Sequence, residues 1–135
     1  LESLAKKLGV SENVIFLGSV PPDDYLRLMA ETDIVLNPAL KEGAVTVSFD
    51  AMALGKPLVA LDTTGYTRYF KPDFSIVIPR RDRNHVVSDF ANAILSLTDP
   101  GLRHKMGEKA KEEACNISWH HHGEEIRDII LHAIN

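Results

Sequence analysis

Residues 42–55 read Glu-Gly-Ala-Val-Thr-Val-Ser-Phe-Asp-Ala-Met-Ala-Leu-Gly, and they lie between two short apolar runs at 34–38 and 57–60. Apolar runs of this length are typical of buried parallel strands, so the stretch between them is expected to begin a helix at the carboxyl end of a strand. Free N–H groups at such a helix start favour a phosphate. Glu42 and Asp50 are spaced to flank that phosphate and to accept hydrogen bonds from sugar hydroxyls. The pattern therefore indicates a nucleotide-sugar rather than a bare phosphate.

The composition is ordinary for a globular domain. The chain has 135 residues, of which 44% are hydrophobic and 25% charged, so it is long enough to bury a core. The formal net charge of -4 argues against nucleic acid as a partner. The single Cys115 excludes an internal disulfide and favours a reducing compartment, which predicts a cytoplasmic location. No run of about 18 apolar residues is present, so no membrane span is predicted.

Short apolar runs alternate with helical patterns, which predicts an α/β domain. Strands are predicted at 14–17, 34–36, 58–60 and 75–78. Helices are predicted at 1–8, from 21 onward, at 42–55, and over most of the chain from about residue 84. This alternation favours a Rossmann-like parallel sheet with helices on both faces, and ligands bind such sheets at the carboxyl ends of the strands. The loops expected along that rim are 18–22, 37–44, 62–66 and 79–83.

In order along the chain, these landmarks resemble the C-terminal domain of the GT-B-fold retaining glycosyltransferases, the large glycogen-synthase-like family. The matching segments are 13–18, 25–34, 42–57 and 62–65, followed by the Ser118-Trp119 step into the last helix. Segment 42–57 resembles the family's E-x7-E motif and its tail, with Asp50 in place of the second Glu. The E-x7-E spacing alone would be weak, whereas the ordered set over nearly the whole chain is specific.

The resemblance implies a role for individual residues of a donor site. Glu42, as the catalytic residue, would lie beside the hydroxyls of the donor sugar, and Asp50 would accept hydrogen bonds from the ribose. The substrate-binding residues implied are Gly43, Ala44, Val45, Thr46, Asp50, Ser19 and Val20. Backbone amides of 44–46 would meet the diphosphate, and backbone near 19–20 would contact the base. Retaining members use no protein nucleophile, the leaving diphosphate being stabilised electrostatically, and the site requires neither a metal nor another cofactor.

Three departures from the family pattern have consequences. Asp50 is one methylene shorter than Glu, so its ribose contact is expected to lengthen or to need a water. Val45 stands where the family often has Gly and limits close approach of the backbone. The family's two earlier strands, its diphosphate-clamping Arg/Lys pair and its N-terminal acceptor domain have no counterpart in this sequence. We therefore interpret residues 1–135 as one partial domain of a longer protein, inactive in transfer by itself.

The same comparison predicts an incomplete sheet. In the usual strand order 3-2-1-4-5-6, the strands without a counterpart are the central ones. Strand 14–17 would then be separated from strand 34–36, leaving an exposed apolar seam that could pair a second copy of the chain. Contact with a membrane surface is expected only through the separate acceptor domain.

Two other functions stay open on the sequence. A sugar-nucleotide epimerase has a related fold, although segment 42–55 matches that class less well. A non-catalytic nucleotide-binding or assembly domain is compatible with the shortened Asp50 and with the Ala44-Val45 pair.

Several residues outside segment 42–55 could suggest a metal or ligand site, but we interpret them as structural. Three consecutive histidines, 120–122, point about 100° apart on a helix and cannot converge on one metal ion. Arg80–Arg83 is interpreted as a charged loop. Trp119 is interpreted as a packing anchor for the last helix, and Cys115 as a core or inert residue.

Overall fold

The computed structural model describes residues 1–41, 46–63 and 65–134, with the side chain of Tyr66 excepted. Its helices are α1 (Glu2–Lys7), α2 (Pro22–Glu31), α3 (Thr46–Ala53), α4 (Arg83–Ser96), α5 (Pro100–Asn116) and α6 (Trp119–Ala133). Its strands are β1 (Val35–Asn37), β2 (Leu58–Leu61) and β3 (Ser75–Ile78), and short 3-10 helices cover Ser11–Asn13 and Gly65–Tyr69. Within these ranges, none of the helices combines the length and apolarity needed to cross a membrane.

The strands form one parallel sheet in the order β1-β2-β3. In its register, Val59 of β2 lies opposite Leu36 on one side and Ile76 on the other. All residues of the central strand β2 are buried, as expected for a strand paired on both sides and covered on both faces. The three strands predicted around 34–36, 58–60 and 75–78 are thereby confirmed.

Alternate side chains of β2 enter two separate hydrophobic clusters, one on each face of the sheet. Leu58 and Ala60 belong to the first cluster, which α2, α3 and α5 cover. Val59 and Leu61 belong to the second, which α4 and α5 cover. The first cluster also contains Met29, Val35, Ala51, Met52, Phe70, Phe74 and Ala110, and the second also contains Ile78, Ala93, Leu97 and Met106. The predicted α/β architecture with helices on both faces is confirmed, and α5 contributes to both clusters.

Helix α3 ends in a glycine turn that lies directly against α5. Gly55 has φ of 67°, and the Gly55 and Lys56 amides donate to the carbonyls of Met52 and Ala51 at 2.9 and 2.8 Å. This paired arrangement is the Schellman motif, for which glycine is favoured because a left-handed φ disfavours a Cβ. On α5, a Cβ built on Gly107 would lie 2.2 Å from the Gly55 carbonyl oxygen. The two backbones therefore approach this closely because residue 107 has no Cβ, whereas glycine at 55 is favoured by its positive φ.

Residues 14–17 do not form the strand that their apolar sequence predicts. They have no sheet partner in the part of the chain that the structure describes, and they are exposed, Ile15 to 84%. The physical reason is that a strand needs a neighbour for its backbone N–H and C=O groups, and β1 pairs only with β2 among the described strands. Leu36 of β1 is also exposed, to 43%, whereas a seam that pairs with a second copy stays a prediction. Loop 18–22 consequently does not follow a strand.

Candidate functional site

The carboxyl ends of β1, β2 and β3 form one edge of the sheet, called the rim below, and Asn37 holds α3 to it. Asn37 is buried at the last position of β1. Its Nδ2 donates to Oγ of Ser48 at 3.1 Å, and its Oδ1 accepts from the amide of Ala39 at 3.2 Å. One side chain thus fixes both the loop after β1 and the first turn of α3. Among the described residues, no buried side-chain polar atom lacks a hydrogen-bond partner.

A second contact joins the loops that follow neighbouring strands. Oγ1 of Thr63, just after β2, donates to the carbonyl of Ala39 at 2.7 Å. Beyond it, the rings of Tyr69 and Phe70 meet Phe49 of α3 edge-on at 6.2 and 6.0 Å between centroids. The start of α3 therefore contacts both the end of β1 and the segment that follows β2.

Asp50 lies on α3 and is half-buried. Its Oδ2 accepts a hydrogen bond from the hydroxyl of Tyr25 on α2 at 3.0 Å. Burial, followed by the hydrogen bond to Asp50 and the charge of that carboxylate, raises the pKa of Tyr25 to about 12. The phenol therefore keeps its proton and stays a donor to the carboxylate across the neutral range.

Of the remaining predicted site residues, the structure describes Thr46, Ser19 and Val20. Thr46 is exposed as the first residue of α3, at the helix start where a phosphate was expected. Ser19 is exposed and Val20 half-buried, and both shortly precede α2. Through the Tyr25–Asp50 hydrogen bond, the beginning of α2 lies against α3, so these segments border a common region. The predictions on Glu42, Gly43, Ala44 and Val45 lie outside the described residues.

The loop after β3 is a charged helix cap. Asp82 accepts hydrogen bonds from the backbone amides of Asn84 and His85 and a further one from the His85 ring. The side-chain hydrogen bond to His85, the larger cause, and the backbone bonds lower the pKa of Asp82. Arg81 lies 3.9 Å from Asp89. These contacts agree with the charged-loop interpretation of 80–83.

The histidine run does not assemble a metal site. Within the described ranges, no group of three or more His, Cys, Asp or Glu residues could hold a metal ion. Instead, the three histidines 120–122 pair with Glu124 or Glu125 on the same helix, at 3.1 to 3.7 Å. The interpretation of Trp119 as a packing anchor is wrong, because this side chain is 91% exposed. Cys115 is likewise exposed rather than part of the core.

Three residues that organise the rim were not predicted from the sequence. Asn37 and Ser48 carry the buried hydrogen bond, and Tyr25 reaches Asp50 across 25 positions. A polar residue at the end of an apolar strand, followed by Pro38, is a signal that could have identified Asn37. Tyr25 gave no such signal, because a tyrosine on a helix is equally compatible with ordinary packing against a core.

Comparison with known proteins assigns the chain to a class. The family model described as glycosyl transferases group 1 matches residues 1–113. The chain therefore belongs to this family.

Several curated relatives, two of them from Nocardia farcinica and Corynebacterium jeikeium, carry the name D-inositol 3-phosphate glycosyltransferase. The one from Nocardia farcinica is 31% identical over 92% of this chain, and the one from Corynebacterium jeikeium 35% identical over 88%. This chain spans only 27% and 28% of the lengths of those proteins.

Solved structures agree in fold. WaaG, a glycosyltransferase involved in lipopolysaccharide biosynthesis, superposes with a TM-score of 0.69 at 33% identity, over 84% of this chain and 30% of its own. Sucrose-phosphate synthase from Thermosynechococcus elongatus gives a TM-score of 0.74 at 20% identity, over 96% of this chain and 33% of its own. The second likeness supports the fold alone.

We expect Ser48→Ala to destabilise the fold. The substitution removes the acceptor of a buried hydrogen bond from Asn37, which costs about 1–3 kcal/mol of unfolding free energy. Ser88→Ala is the matched control, because Ser88 is an exposed serine within helix α4 and should change stability by no more than about 0.5 kcal/mol. Urea denaturation followed by circular dichroism measures both. Equal midpoints for the two variants would contradict the assigned role of Ser48.

The raised pKa of Tyr25 predicts an alkaline loss of stability. The phenol has a pKa of about 12 in the folded chain against 10.0 for an ordinary tyrosine, so the folded state binds its proton more tightly. Its contribution to the unfolding free energy is therefore complete below pH 10 and is lost as the pH rises toward 12. The stability difference between the unmodified chain and Tyr25→Phe should shrink over that interval in urea titrations. A difference independent of pH would show that the pKa of Tyr25 is not raised in the folded chain.

Proposed function

We propose that this chain is the donor-binding part of a retaining glycosyltransferase, which transfers a sugar from a nucleoside diphosphate sugar to an acceptor. Family membership supports the reaction class. The observation that carries the assignment to the donor is the anchored start of α3, held to the rim by Asn37 and Ser48 beside an acidic residue, Asp50. A fixed helix start favours a diphosphate, and a neighbouring carboxylate favours sugar hydroxyls.

In this proposal each predicted residue keeps the role implied by the family resemblance. Glu42 lies beside the donor sugar, and the amides of 44–46 face the diphosphate. Asp50 accepts from the ribose, and the backbone near Ser19 and Val20 contacts the base. Charge that develops on the leaving diphosphate is stabilised by preorganised N–H groups, which lose little reorganisation energy during the reaction. Neither a metal ion nor another cofactor takes part.

Binding of the acceptor is assigned to a part of the protein other than this chain. The acceptor is bound by a separate N-terminal domain, consistent with the small share of the relatives' length that the chain spans. Acceptor choice, and any contact with a membrane surface, belong to that domain. The proposed location is the cytoplasm, where nucleotide-sugars are available to a reduced protein with a free, exposed Cys115.

Isothermal titration of the full-length protein tests the proposal directly. UDP, GDP and ADP, together with their glucose conjugates, form the panel, and we expect one nucleotide series to bind preferentially. Thr46→Pro removes one amide of the helix start and should weaken binding of the diphosphate more than that of the nucleoside alone. Binding of no nucleotide would refute the donor-site proposal. Formation of an epimerised sugar without an acceptor would favour the epimerase instead.

A further inference from the structure

The hydroxyl of Tyr25 donates a hydrogen bond to Oδ2 of Asp50. Among the residues that the structure describes, this is the side-chain hydrogen bond that Asp50 accepts. The other carboxylate oxygen, Oδ1, has no partner within those residues. A carboxylate that accepts through one oxygen keeps lone pairs on the other for a ligand. Oδ2 of Asp50 is therefore engaged by Tyr25, whereas Oδ1 can still accept a hydrogen bond from a ligand.

Tyr25 is well placed to hold the carboxylate in one orientation. Its ring is partly buried against the first hydrophobic cluster, which limits the freedom of the phenol. Tyr25 also lies in the first turn of α2, where its amide donates to the carbonyl of Pro21 at 2.9 Å. The hydroxyl thus extends from a fixed helix start, and the hydrogen bond sets the spacing between α2 and α3.

Asp50 has a particular need for such support. Its side chain is one methylene shorter than the Glu that the family pattern places here, so it reaches less far toward a ligand. A hydrogen bond to a charged acceptor is shorter and stronger than one between neutral groups. Fixing the rotation of the carboxylate with this bond reduces the entropy lost when a ligand hydroxyl binds.

We propose that Tyr25 is a positioning residue for ribose recognition: its hydroxyl orients Asp50 so that the free carboxylate oxygen accepts hydrogen bonds from the ribose of the donor nucleotide. The inference rests on the proposed function, because it assigns a partner to a residue of that same site. Tyr25 itself does not contact the donor in this proposal. Support from Tyr25 would also explain how Asp50, although shorter, can bind the ribose at a position where the family pattern has Glu.

A double-mutant cycle in the full-length protein tests this role. Calorimetry compares UDP, GDP and ADP with their 2′,3′-dideoxy counterparts in the unmodified protein and in Tyr25→Phe, Asp50→Asn and the double variant. We expect Tyr25→Phe to reduce the preference for the ribonucleotide about five- to tenfold and to leave the dideoxynucleotide affinity unchanged. In the Asp50→Asn background, Tyr25→Phe should have no further effect on that preference.

Each alternative outcome has a distinct meaning. If Asp50→Asn loses the ribose preference and Tyr25→Phe keeps it, Tyr25 only packs and the inference fails. Equal loss of affinity for both nucleotides in Tyr25→Phe would also overturn it, since that result reports a general structural change. A protein that binds nucleotides without any ribose preference contradicts the inference and leaves the donor site standing. Absence of all nucleotide binding overturns both.

Discussion

Replacing Gly107 by alanine is expected to lower the free energy of unfolding by about 2 kcal/mol or more, in the upper part of the range for an overpacked core. The added Cβ would lie 2.2 Å from the carbonyl oxygen of Gly55, far inside van der Waals contact. That oxygen belongs to the backbone of the Schellman turn, so it cannot move aside as the end of a flexible side chain could. Relief requires α5 to shift away from α3, which opens the first hydrophobic cluster around Ala110.

Gly123→Ala provides a matched control within the same chain. Gly123 is also a helical glycine, on α6, but a Cβ there meets nothing within 4 Å. Alanine has the higher helix propensity, so this variant should gain up to about 1 kcal/mol. Urea denaturation followed by circular dichroism gives both values. A Gly107→Ala variant as stable as Gly123→Ala would show that α3 and α5 are not in the close contact described.

The second large effect is expected on activity. In the full-length protein, Glu42→Ala should reduce sugar transfer at least about a hundredfold, the usual loss when one group that stabilises the transition state is removed. Under the proposed function Glu42 contacts the donor sugar rather than the nucleotide. Affinity for the nucleoside diphosphate should therefore stay unchanged while turnover falls. Steady-state kinetics together with calorimetry separate the two quantities.

An exposed acid far from the rim is the appropriate comparison for Glu42. Glu31 is exposed at the last position of α2, away from the helix start that lies near Asp50. Glu31→Ala should keep transfer within about twofold, because surface substitutions away from a site change little. Undiminished transfer by Glu42→Ala would refute the catalytic assignment. Parallel loss of nucleotide affinity and turnover would place Glu42 at the nucleotide instead.

The sheet was predictable where hydrophobic pattern alone determines it. Strand β3 has the predicted bounds, and β2 extends the prediction by one residue, because continuous apolar runs are a sufficient signal for strands buried on both faces. Segment 14–17 carries the same signal but lacks a neighbour to accept its backbone hydrogen bonds. Strand formation depends on a partner elsewhere in the fold, and a local pattern cannot report whether that partner exists.

The candidate site was predictable in outline and not in its supporting contacts. The sequence pattern placed Thr46 and Asp50 on one helix, and the structure has both on α3. It could not indicate that Asn37 and Ser48 hydrogen-bond 11 positions apart, since this depends on how β1 and α3 pack. The prediction that Trp119 is buried was wrong for a related reason. An aromatic residue at a helix start suggests burial, but α6 has no buried residue and no described element covers it.

Helix α5 supplies a side chain to each hydrophobic cluster, Met106 to one and Ala110 to the other. During synthesis the ribosome produces all three strands before it produces this helix. A nascent chain that ends before Met106 therefore has both faces of β2 incompletely covered, which is the condition under which partly folded chains associate. Cooperative folding of the sheet accordingly waits for α5, and termination before Met106 should yield an aggregating product rather than a smaller folded domain.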